Sequence, residues 1–462
     1  MRTKKRLIFT LCLACLSVCV SVCAQTPAKQ IPEDWFKKDP ANDSIVGISL
    51  DAACKQLRGR AFRTVVVAVI DNGVDIEHED LKNIIWTNKN EIAGNGIDDD
   101  HNGYTDDIHG WNFRGKKGGM VVENEHAAST QFYLAFRDKF ERSDSSHMRR
   151  KYKETFGAYM KARKQYLEKQ VSKDSGELLF TYNADYNTDL LIDNGDKKST
   201  GYGSPLAKLT KNLNHGTHVA GIIGAQRDNQ IGVEGVADHV LIMPLLATTA
   251  LGDERDKDIA RAIRYSVDNG AQIINMSFSK LFSPDKKQVD EAIRYAERKN
   301  VLVVHAAGND GVDIDSVGNF HYPVGIYEDG GRARNFITVG WSRALFDFRL
   351  AHPHSGYGKL NVDLFAPGSD IFSTVPGNRY ESKSGSSMSA AVVSGVAAIL
   401  LSYFPQLSAK EVKSILIRSS FVIDQLVNKP GTQTKVPFNT LSVSGGIVNA
   451  NNAVQIAIKD KK

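Results

Sequence analysis

The chain has 462 residues, 42% of them hydrophobic and 24% charged, which excludes a wholly disordered chain and allows one large enzyme domain or a few small ones. The formal net charge is +5, but four positive charges lie within the first six residues. Residues 25–462 have 54 basic and 53 acidic side chains, so the charge gives no indication of a nucleic-acid partner.

Residues 1–24 have the pattern of a secretory signal. A basic start is followed by the apolar run Leu7 to Val22, and Ala24 precedes the expected cleavage site. An uncleaved membrane anchor is an alternative, although the run is short for a span. A lipoprotein signal with Cys23 as the lipidated residue is another, although Val22 stands where a small residue is usual. We expect an exported protein, periplasmic or secreted, with no transmembrane span in its mature chain.

Cys54 is the single cysteine that follows the predicted signal, so the mature chain cannot form an intramolecular disulfide. We interpret Cys54 as a small packed residue rather than a nucleophile. The stability of the fold must therefore come from its core and from any bound metal.

After a polar lead-in at residues 25–60, apolar β-branched runs alternate with amphipathic helices. Strands are expected at residues 64–70, 240–246, 272–276, 301–306 and 335–339. Helices are expected at residues 257–268, 285–298, 386–403 and 408–419. This alternation predicts an α/β fold with a doubly wound parallel sheet, in a domain spanning residues 61–455 with a short tail at 456–462. In such sheets the functional site lies at the carboxyl ends of the strands.

Residues 114–205 interrupt this alternation. One aromatic stripe is formed by Phe132, Phe136 and Phe140, and a second runs from Met148 to Tyr159 in a segment rich in charge. Both stripes have helical spacing, which predicts an inserted helical subdomain. The stripes either pack against their own domain, which we favour, or bind a partner.

Three short blocks contain residues suited to nucleophilic catalysis. A serine needs an imidazole to accept its proton, and the imidazole needs a carboxylate to fix its tautomer. Asp71 follows a buried strand, and His215 and Ser387 each begin an apolar helix. Each block alone is also typical of an ordinary turn or helix cap. Their joint presence in the order Asp, His, Ser is far more specific. The blocks are residues 69–75, 214–221 and 385–390.

These blocks resemble the three signatures of the subtilisin-like serine peptidases, the subtilases. The resemblance covers roughly residues 62–455, without the insertion. It implies a parallel sheet of about seven strands flanked by helices, and endopeptidase activity through an acyl-enzyme. It assigns Asp71 to orienting His215, His215 to the general base and acid role, and Ser387 to the nucleophile role. His218 resembles the structural histidine of the second signature.

Further segments resemble parts of the substrate groove of that family. Residues 306–310 resemble its oxyanion segment, in which Asn309 would donate its amide together with the N–H of Ser387. Residues 274–279 resemble the strand that pairs with an extended peptide. Tyr322-Pro323 resembles the turn at the floor of the specificity pocket, and this bond can be cis. His321 and Ser279 replace small residues there and leave the side-chain preference open. The expected substrate contacts are Ser277, Phe278, Ser279, Ala307 and Gly308.

A D-x-D-x-N-G run within residues 96–107 has the alternating oxygen ligands and sharp glycine turn typical of a calcium loop. The candidate ligands are Asp98, Asp100, Asn102, Tyr104, Asp106 and Asp107. A solvated acidic turn is the alternative, because the twelfth loop position is His109 instead of glutamate. The resemblance implies a second site formed by Asp80, the Asn229 side chain and the carbonyls of Ile231 and Val233. We expect structural Ca²⁺.

The sequence therefore predicts an exported serine endopeptidase that acts on protein or peptide substrates and not on nucleic acid, with its oligomeric state left open. The alternative is a catalytically silent pseudopeptidase that binds peptides or a partner protein. A non-peptidase esterase is disfavoured, because Ser389 replaces the final glycine of a G-x-S-x-G elbow.

Overall fold

The computed structural model describes residues 31–460, apart from residues 115–121, 123, 143–145, 171–179, 187–202, 207–212, 249–251, 317 and 320. The predicted signal at residues 1–24 lies outside the described residues. Residues from Glu33 onward form one packing unit.

The helices and strands of the described chain are as follows. The helices are α1 (Pro40–Asp43), α2 (Leu50–Leu57), α3 (Ala128–Glu141), α4 (Ser146–Lys151), α5 (Lys153–Gln170), α6 (Asn214–Gly224), α7 (Asp256–Asp268), α8 (Lys286–Arg298), α9 (Ser386–Tyr403), α10 (Ala409–Ser419) and α11 (Ala450–Lys459). The strands are β1 (Val65–Asp71), β2 (Trp111–Asn112), β3 (Ser204–Pro205), β4 (Val240–Leu246), β5 (Ile273–Met276), β6 (Leu302–Ala306), β7 (Phe336–Ser342), β8 (Leu364–Pro367), β9 (Ile371–Val375), β10 (Arg379–Lys383), β11 (Phe421–Val422), β12 (Leu426–Asn428), β13 (Lys435–Pro437) and β14 (Gly446–Ile447).

The central sheet of the described residues has the strand order β11-β14-β8-β7-β6-β5-β1-β4-β2-β3. Neighbouring strands from β14 to β2 are parallel, and the edge pairs β11–β14 and β2–β3 are antiparallel. β4 and β5 flank β1 on opposite sides, so the direction of winding reverses at β1, where a cleft forms at the carboxyl ends of the strands. The doubly wound α/β fold predicted from the sequence is confirmed. Four two-residue strands extend the sheet to ten strands, compared with the expected seven or so.

The sequence pattern located the inner elements well. All five strands predicted from β-branched runs are present, as β1, β4, β5, β6 and β7. The four predicted helices are present as α7 to α10, and a reciprocal capping box between Ser408 and Glu411 explains why α10 begins where it does. Strand β8 was not predicted because its apolar run has only four residues and ends in proline. The β9–β10 hairpin was not predicted because it mixes polar with apolar residues.

The core of the fold lies on both faces of this sheet. Helix α9 is buried along nearly its whole length and packs against the strands from β5 to β8. It is also the one helix in the described part of the chain that is long and apolar enough to cross a membrane, and 94% of that window is buried in the protein. Its composition is therefore that of a core helix.

The predicted helical stripes of the insertion form α3, α4 and α5. Phe132, Tyr133, Phe140 and Tyr159 gather in a separate aromatic cluster, which also takes in Phe282 from the loop after β5. The second predicted stripe is not one helix, because α4 ends before Tyr152 and α5 begins after it. We call residues 128–170 the inserted hairpin.

Candidate active site

Asp71 is the last residue of β1, at the carboxyl edge of the sheet. Its carboxylate is buried and accepts a hydrogen bond from the Asn72 N–H at 2.8 Å. The hydrophobic strand fixes the backbone of this residue, and the N–H helps to fix its carboxylate. Asp71 is therefore held rigidly at the point where the direction of winding reverses.

His215 is the second residue of α6 and faces Asp71. Its Nδ1 lies 2.8 Å from Oδ1 and 2.9 Å from Oδ2 of Asp71. Burial opposes the charged imidazolium, but the adjacent Asp71 carboxylate outweighs burial and raises the pKa of His215. The side chain of Asn72 accepts the Gly216 N–H at 2.9 Å, which ties the start of α6 to the end of β1. A Cβ on Gly216 would lie 2.2 Å from the Gly73 carbonyl oxygen, so this close approach requires glycine.

Ser387 is the second residue of α9 and lies in the same cavity as Asp71 and His215. Its hydroxyl donates to the Ser277 carbonyl at 2.7 Å, and no hydrogen bond to His215 is found among the described contacts. Catalytic hydrogen bonds are often completed only when substrate binds. The cavity measures about 260 Å³. Its lining residues are Asp71, Asn72, His215, Thr248, Glu254, Ser277, Phe278, Ser279, Ala306, Asn309, Ser386 and Ser387.

Asn309 follows β6 and lines the same cavity. Its Oδ1 accepts hydrogen bonds from the backbone N–H of Ser386 at 2.9 Å and from the Ser386 hydroxyl at 3.0 Å. With Oδ1 held in this way, the NH₂ group is available to the cavity. The backbone N–H of Ser387 lies in the first turn of α9, where amides have no partner within the helix. Two donors therefore flank the serine hydroxyl.

His218 lies one turn after His215 in α6 and is fully buried. Its Nε2 hydrogen bonds to the Glu381 carbonyl at 3.0 Å, which joins α6 to β10. Burial lowers the pKa of His218 to about 4, so the ring is neutral near pH 7. These contacts are structural ones.

The predicted substrate contacts divide into two groups. Ser277, Phe278 and Ser279 line the cavity, and the Ser277 hydroxyl donates to the Ser387 carbonyl at 2.9 Å. Ala307 is instead fully buried in the core, and Gly308 is not among the lining residues. The neighbouring residue Ala306 lines the cavity in their place.

His321 occupies the space beside Gly308. A Cβ on Gly308 would lie 1.8 Å from His321 Nδ1, and this nitrogen is 3.3 Å from the Ser279 hydroxyl. His321 Nε2 lies 3.4 Å from a carboxylate oxygen of Asp310. The adjacent Tyr322–Pro323 bond is cis, as the sequence allowed. A buried imidazole therefore fills space next to the oxyanion segment.

Thr248 and Glu254 also line the cavity, and neither was predicted from the sequence. Both follow β4, whose carboxyl end lies beside that of β1. The available signal was the acidic run Asp253-Glu254 after a predicted strand, since the carboxyl ends of adjacent parallel strands share one edge.

The predicted calcium loop contributes two members of a cluster of three carboxylates. Single oxygens of Glu91, Asp100 and Asp107 lie within 4.8 Å of one another, and Glu91 was not predicted. Asn102 donates from its amide to Asp100 at 3.3 Å and to Asp107 at 3.1 Å. Burial raises the pKa of Asp107 to about 6. Within the described residues none of the three carboxylates is ion-paired with lysine or arginine, so the cluster could hold a hard cation.

The other predicted ligands of this loop have different contacts. Asp98 accepts the backbone N–H groups of Asn102 and Gly103, at 3.0 and 2.8 Å. Asp106 likewise accepts N–H groups of Gly94 and Gly96. The ring of Tyr104 packs against aromatic neighbours, with its centroid 4.8 Å from that of Tyr265. These side chains shape the loop rather than join the cluster.

The residues of the second predicted metal site lie together but hydrogen bond to one another. Asp80 accepts from the Asn229 amide at 2.8 Å and from the Val233 N–H at 2.9 Å. Asn229 in turn accepts the Ile231 N–H at 3.0 Å. The two oxygen-bearing side chains are therefore adjacent, with their oxygens bound to protein N–H groups.

A carboxylate, an imidazole and a serine hydroxyl in one cavity at the carboxyl edge of a parallel sheet, with an amide beside the hydroxyl, is the arrangement of a serine hydrolase. The model of the subtilase family matches residues 63–447, so the chain belongs to the subtilase family.

Curated relatives include peptidases from bacteria and a parasite. The thermophilic serine proteinase of Bacillus sp. (strain AK1) is 39% identical over 189 residues, which cover 41% of this chain and 43% of the relative. Subtilisin-like protease 1 of Plasmodium berghei (strain Anka) is 27% identical over 449 residues, which cover 92% of this chain and 56% of the relative. The chain thus spans about half the length of these relatives.

Solved structures support the fold. A protease from Pseudoalteromonas arctica superposes with a TM-score of 0.52 at 20% identity, covering 93% of this chain and 100% of that one. A structure described as the basis of subtilase cytotoxin SubAB assembly gives a TM-score of 0.53 at 20% identity, covering 92% and 97%. At this level of identity the likeness concerns the fold.

Proposed function

We propose that this chain is an exported serine endopeptidase that hydrolyses peptide bonds through an acyl-enzyme on Ser387. The observation that carries the proposal is the hydrogen bond between His215 Nδ1 and the Asp71 carboxylate, in a cavity that Ser387 and Asn309 also line. The family relationship and the relatives' names as proteinases support it.

In the first half-reaction the Ser387 oxygen attacks the carbonyl carbon of the scissile bond, and its proton passes to His215 Nε2. Asp71 holds the other ring nitrogen and stabilises the imidazolium. The carbonyl oxygen becomes an oxyanion, which accepts hydrogen bonds from the Asn309 amide and the Ser387 N–H. Collapse of the tetrahedral intermediate breaks the C–N bond, and His215 gives its proton to the leaving amine.

In the second half-reaction water takes the place of the amine. His215 removes a proton from the water, whose oxygen attacks the acyl carbon, and then returns the proton to the Ser387 oxygen as the ester breaks. Residues 277–279 line the cavity, and we assign them to binding the peptide backbone as an added strand. His321 would then restrict the side chain that fits beside Gly308.

A catalytically silent peptide-binding protein is the second candidate. The observation in its favour is that the Ser387 hydroxyl donates to the Ser277 carbonyl instead of to His215. The Asp71–His215 bond favours the enzyme, because binding alone does not need an oriented imidazole.

Labelling with a fluorophosphonate tests the proposal. The full chain should gain the mass of one adduct, and Ser387→Ala should abolish the adduct. Ser382→Ala, which changes an exposed serine of β10, should leave labelling unchanged. Failure of the wild-type protein to react would favour the silent alternative.

We further propose that the Glu91, Asp100 and Asp107 cluster holds a structural Ca²⁺ ion. The ion would offset the repulsion among three close carboxylates and would bind the folded state only, which raises stability. Adding calcium after chelation should raise the melting temperature, while equimolar magnesium should raise it less. Asp107→Asn should reduce the calcium effect. An unchanged melting temperature would contradict the proposal.

We also propose export with cleavage after Ala24, followed by the lead-in at residues 25–60 and a peptidase domain at residues 61–455 that carries the insertion. The basic and apolar N-terminal pattern supports this order. N-terminal sequencing of the exported protein should begin at Gln25. A start at Cys23 with a lipid mass would instead indicate a lipoprotein.

A further inference from the structure

Glu254 lines the catalytic cavity, yet the proposed mechanism gives it no role. The residue is 8% exposed, and its Oε2 is buried without a hydrogen-bond partner in the described part of the protein. A buried carboxylate is costly unless a cation or a set of donors compensates it. A cationic group of a ligand in the cavity would supply the missing partner.

The lysine and arginine side chains described near Glu254 form ion pairs with other carboxylates. Three cations of this region are already ion-paired, each at 2.8–2.9 Å: Arg114 with Glu125, Arg255 with Asp258, and Lys280 with Asp256. Lys280 also donates to Glu254, but to its main-chain carbonyl. Two carboxylates, Asp253 and Glu254, have no ion-pair partner among the described lysines and arginines. Burial and the nearby Asp253 raise the pKa of Glu254 and outweigh the opposing charge of Lys280.

The backbone around Glu254 is fixed by the residues that lead into the inserted hairpin. The Asp253 N–H donates to the His126 carbonyl at 3.0 Å, and the Asp253 carboxylate accepts the Ala128 N–H at 2.6 Å. Gly252 has a φ of +95°, and a Cβ there would lie 2.1 Å from the Glu125 carbonyl oxygen. Glu254 therefore lines the cavity directly after a residue that hydrogen bonds to the start of the inserted hairpin.

We propose that Glu254 is a specificity-determining residue, whose carboxylate binds a lysine or arginine side chain of the substrate close to the scissile bond. This inference rests on the proposed function. A cationic side chain that enters the cavity would form an ion pair with the Glu254 carboxylate. The nearby Asp253 carboxylate would add to the negative electrostatic potential there. A neutral side chain would leave the Glu254 carboxyl buried without a partner. Binding sites built around a polar contact discriminate strongly against ligands that cannot make that contact.

Cleavage profiling of the full chain provides the test. Peptides from a digested proteome should be cut with lysine or arginine enriched at one position near the scissile bond. Two synthetic peptides that differ only there, lysine against norleucine, should then differ by about 10- to 100-fold in kcat/KM. Glu254→Gln should remove most of this difference by slowing the lysine peptide. Glu254→Asp, which keeps the charge, should retain part of it. Glu291→Gln on the exposed face of α8 is the matched control.

The outcomes separate this inference from the proposed function. If wild-type protein does not react with fluorophosphonate, the proposed function fails. If it reacts but shows no basic preference, or if Glu254→Gln slows both peptides equally, the inference fails. If Glu254→Gln slows both peptides equally and also shifts the pH profile of kcat/KM, Glu254 would be a positioning residue for His215. If Glu254→Gln does not fold, as judged by loss of fluorophosphonate labelling, the test rests on two other measurements. These are the cleavage profile of the wild-type protein and the preference for lysine over norleucine in Glu254→Asp.

Discussion

The catalytic edge of the sheet and the inserted hairpin are held in place by different means. Asp71 ends a buried strand, and Ser387 begins a helix that is buried along nearly its whole length. The inserted hairpin is stabilised by its own aromatic cluster, and its α4 has no buried residue. The geometry of the triad therefore depends on the packing of the core, and we expect that the hairpin can change without moving the triad.

The two regions meet at residues 252–256 and at Phe282 in the loop after β5. The residues that lead into the hairpin clamp Asp253, while Glu254 lines the catalytic cavity. Substitutions that destabilise the hairpin should therefore affect the choice of substrate more than the reactivity of Ser387. Substitutions at the catalytic edge of the sheet should affect the reactivity of Ser387 more than the choice of substrate.

The largest effect is expected from Asp71→Asn. The amide would lose the charge that stabilises the imidazolium and would favour the wrong tautomer of His215, so kcat should fall about 10⁴-fold. The melting temperature should change little, because the side chain keeps its shape. Peptide hydrolysis and thermal unfolding measure the two quantities, and Asp51→Asn on the exposed face of α2 is the control. A loss of less than tenfold would mean that Asp71 does not orient His215.

Phe140→Ala should destabilise the inserted hairpin and leave the catalytic edge of the sheet unchanged. Phe140 is fully buried and its ring contacts Phe156 and Tyr159, with centroids 5.3 Å apart in both pairs. Truncation of a buried phenylalanine costs about 3–5 kcal/mol. Hydrogen exchange should show loss of protection across residues 128–170, with β1 and α9 unchanged.

The labelling rate of Ser387 should stay within about twofold in Phe140→Ala, since distant sites act independently. Leu167→Ala in the same hairpin, at a side chain 42% exposed, should preserve protection. If protection fell equally in the hairpin and in α9, the two regions would form one cooperative unit instead of two independently stabilised ones.

Asn309→Ala should lower kcat by about 10²–10³ and change KM little, because the amide acts on the oxyanion and not on the bound ground state. Asn42→Ala, an exposed residue of α1, is the matched control. A raised KM with unchanged kcat would assign Asn309 to ground-state binding instead.

The sequence was most informative where regular structure places the functional groups. Asp71 at a strand end and Ser387 at a helix start could be assigned because the flanking apolar runs fix the backbone there. Ligands in irregular loops were harder to predict. Glu91 lies outside the motif that suggested the metal site, and Asp98 and Asp106 bind backbone amides of the loop itself. No periodicity in the sequence encodes such contacts.

Glu254 was missed for a related reason. Its place in the cavity depends on the clamp from His126 and Ala128, more than 120 residues earlier in the chain. A local pattern could at most point to the carboxyl end of β4. Long-range contacts of this kind become visible only once the sheet order is known.

The smallest expected effect is a loss of folding stability at low pH. This loss should affect the core before it affects the inserted hairpin. Burial lowers the pKa of His218 to about 4 and that of His305 to about 3, whereas in the unfolded chain both titrate near 6.5. The unfolded state therefore binds more protons below pH 6.5. The stability that these histidines contribute is fully present above that pH and falls as the pH drops towards 4, by about 2 kcal/mol for each at pH 5.

Unfolding by urea at pH 7.5 and pH 5, measured in Ser387→Ala protein to avoid self-digestion, should show this loss, and His305→Leu should reduce it. Both histidines lie in core elements, α6 and β6, so acid should lower protection there before it affects the aromatic cluster of the hairpin. If the hairpin lost protection first, its own titrating groups would dominate the acid response, and the core histidines would not be the groups that limit stability.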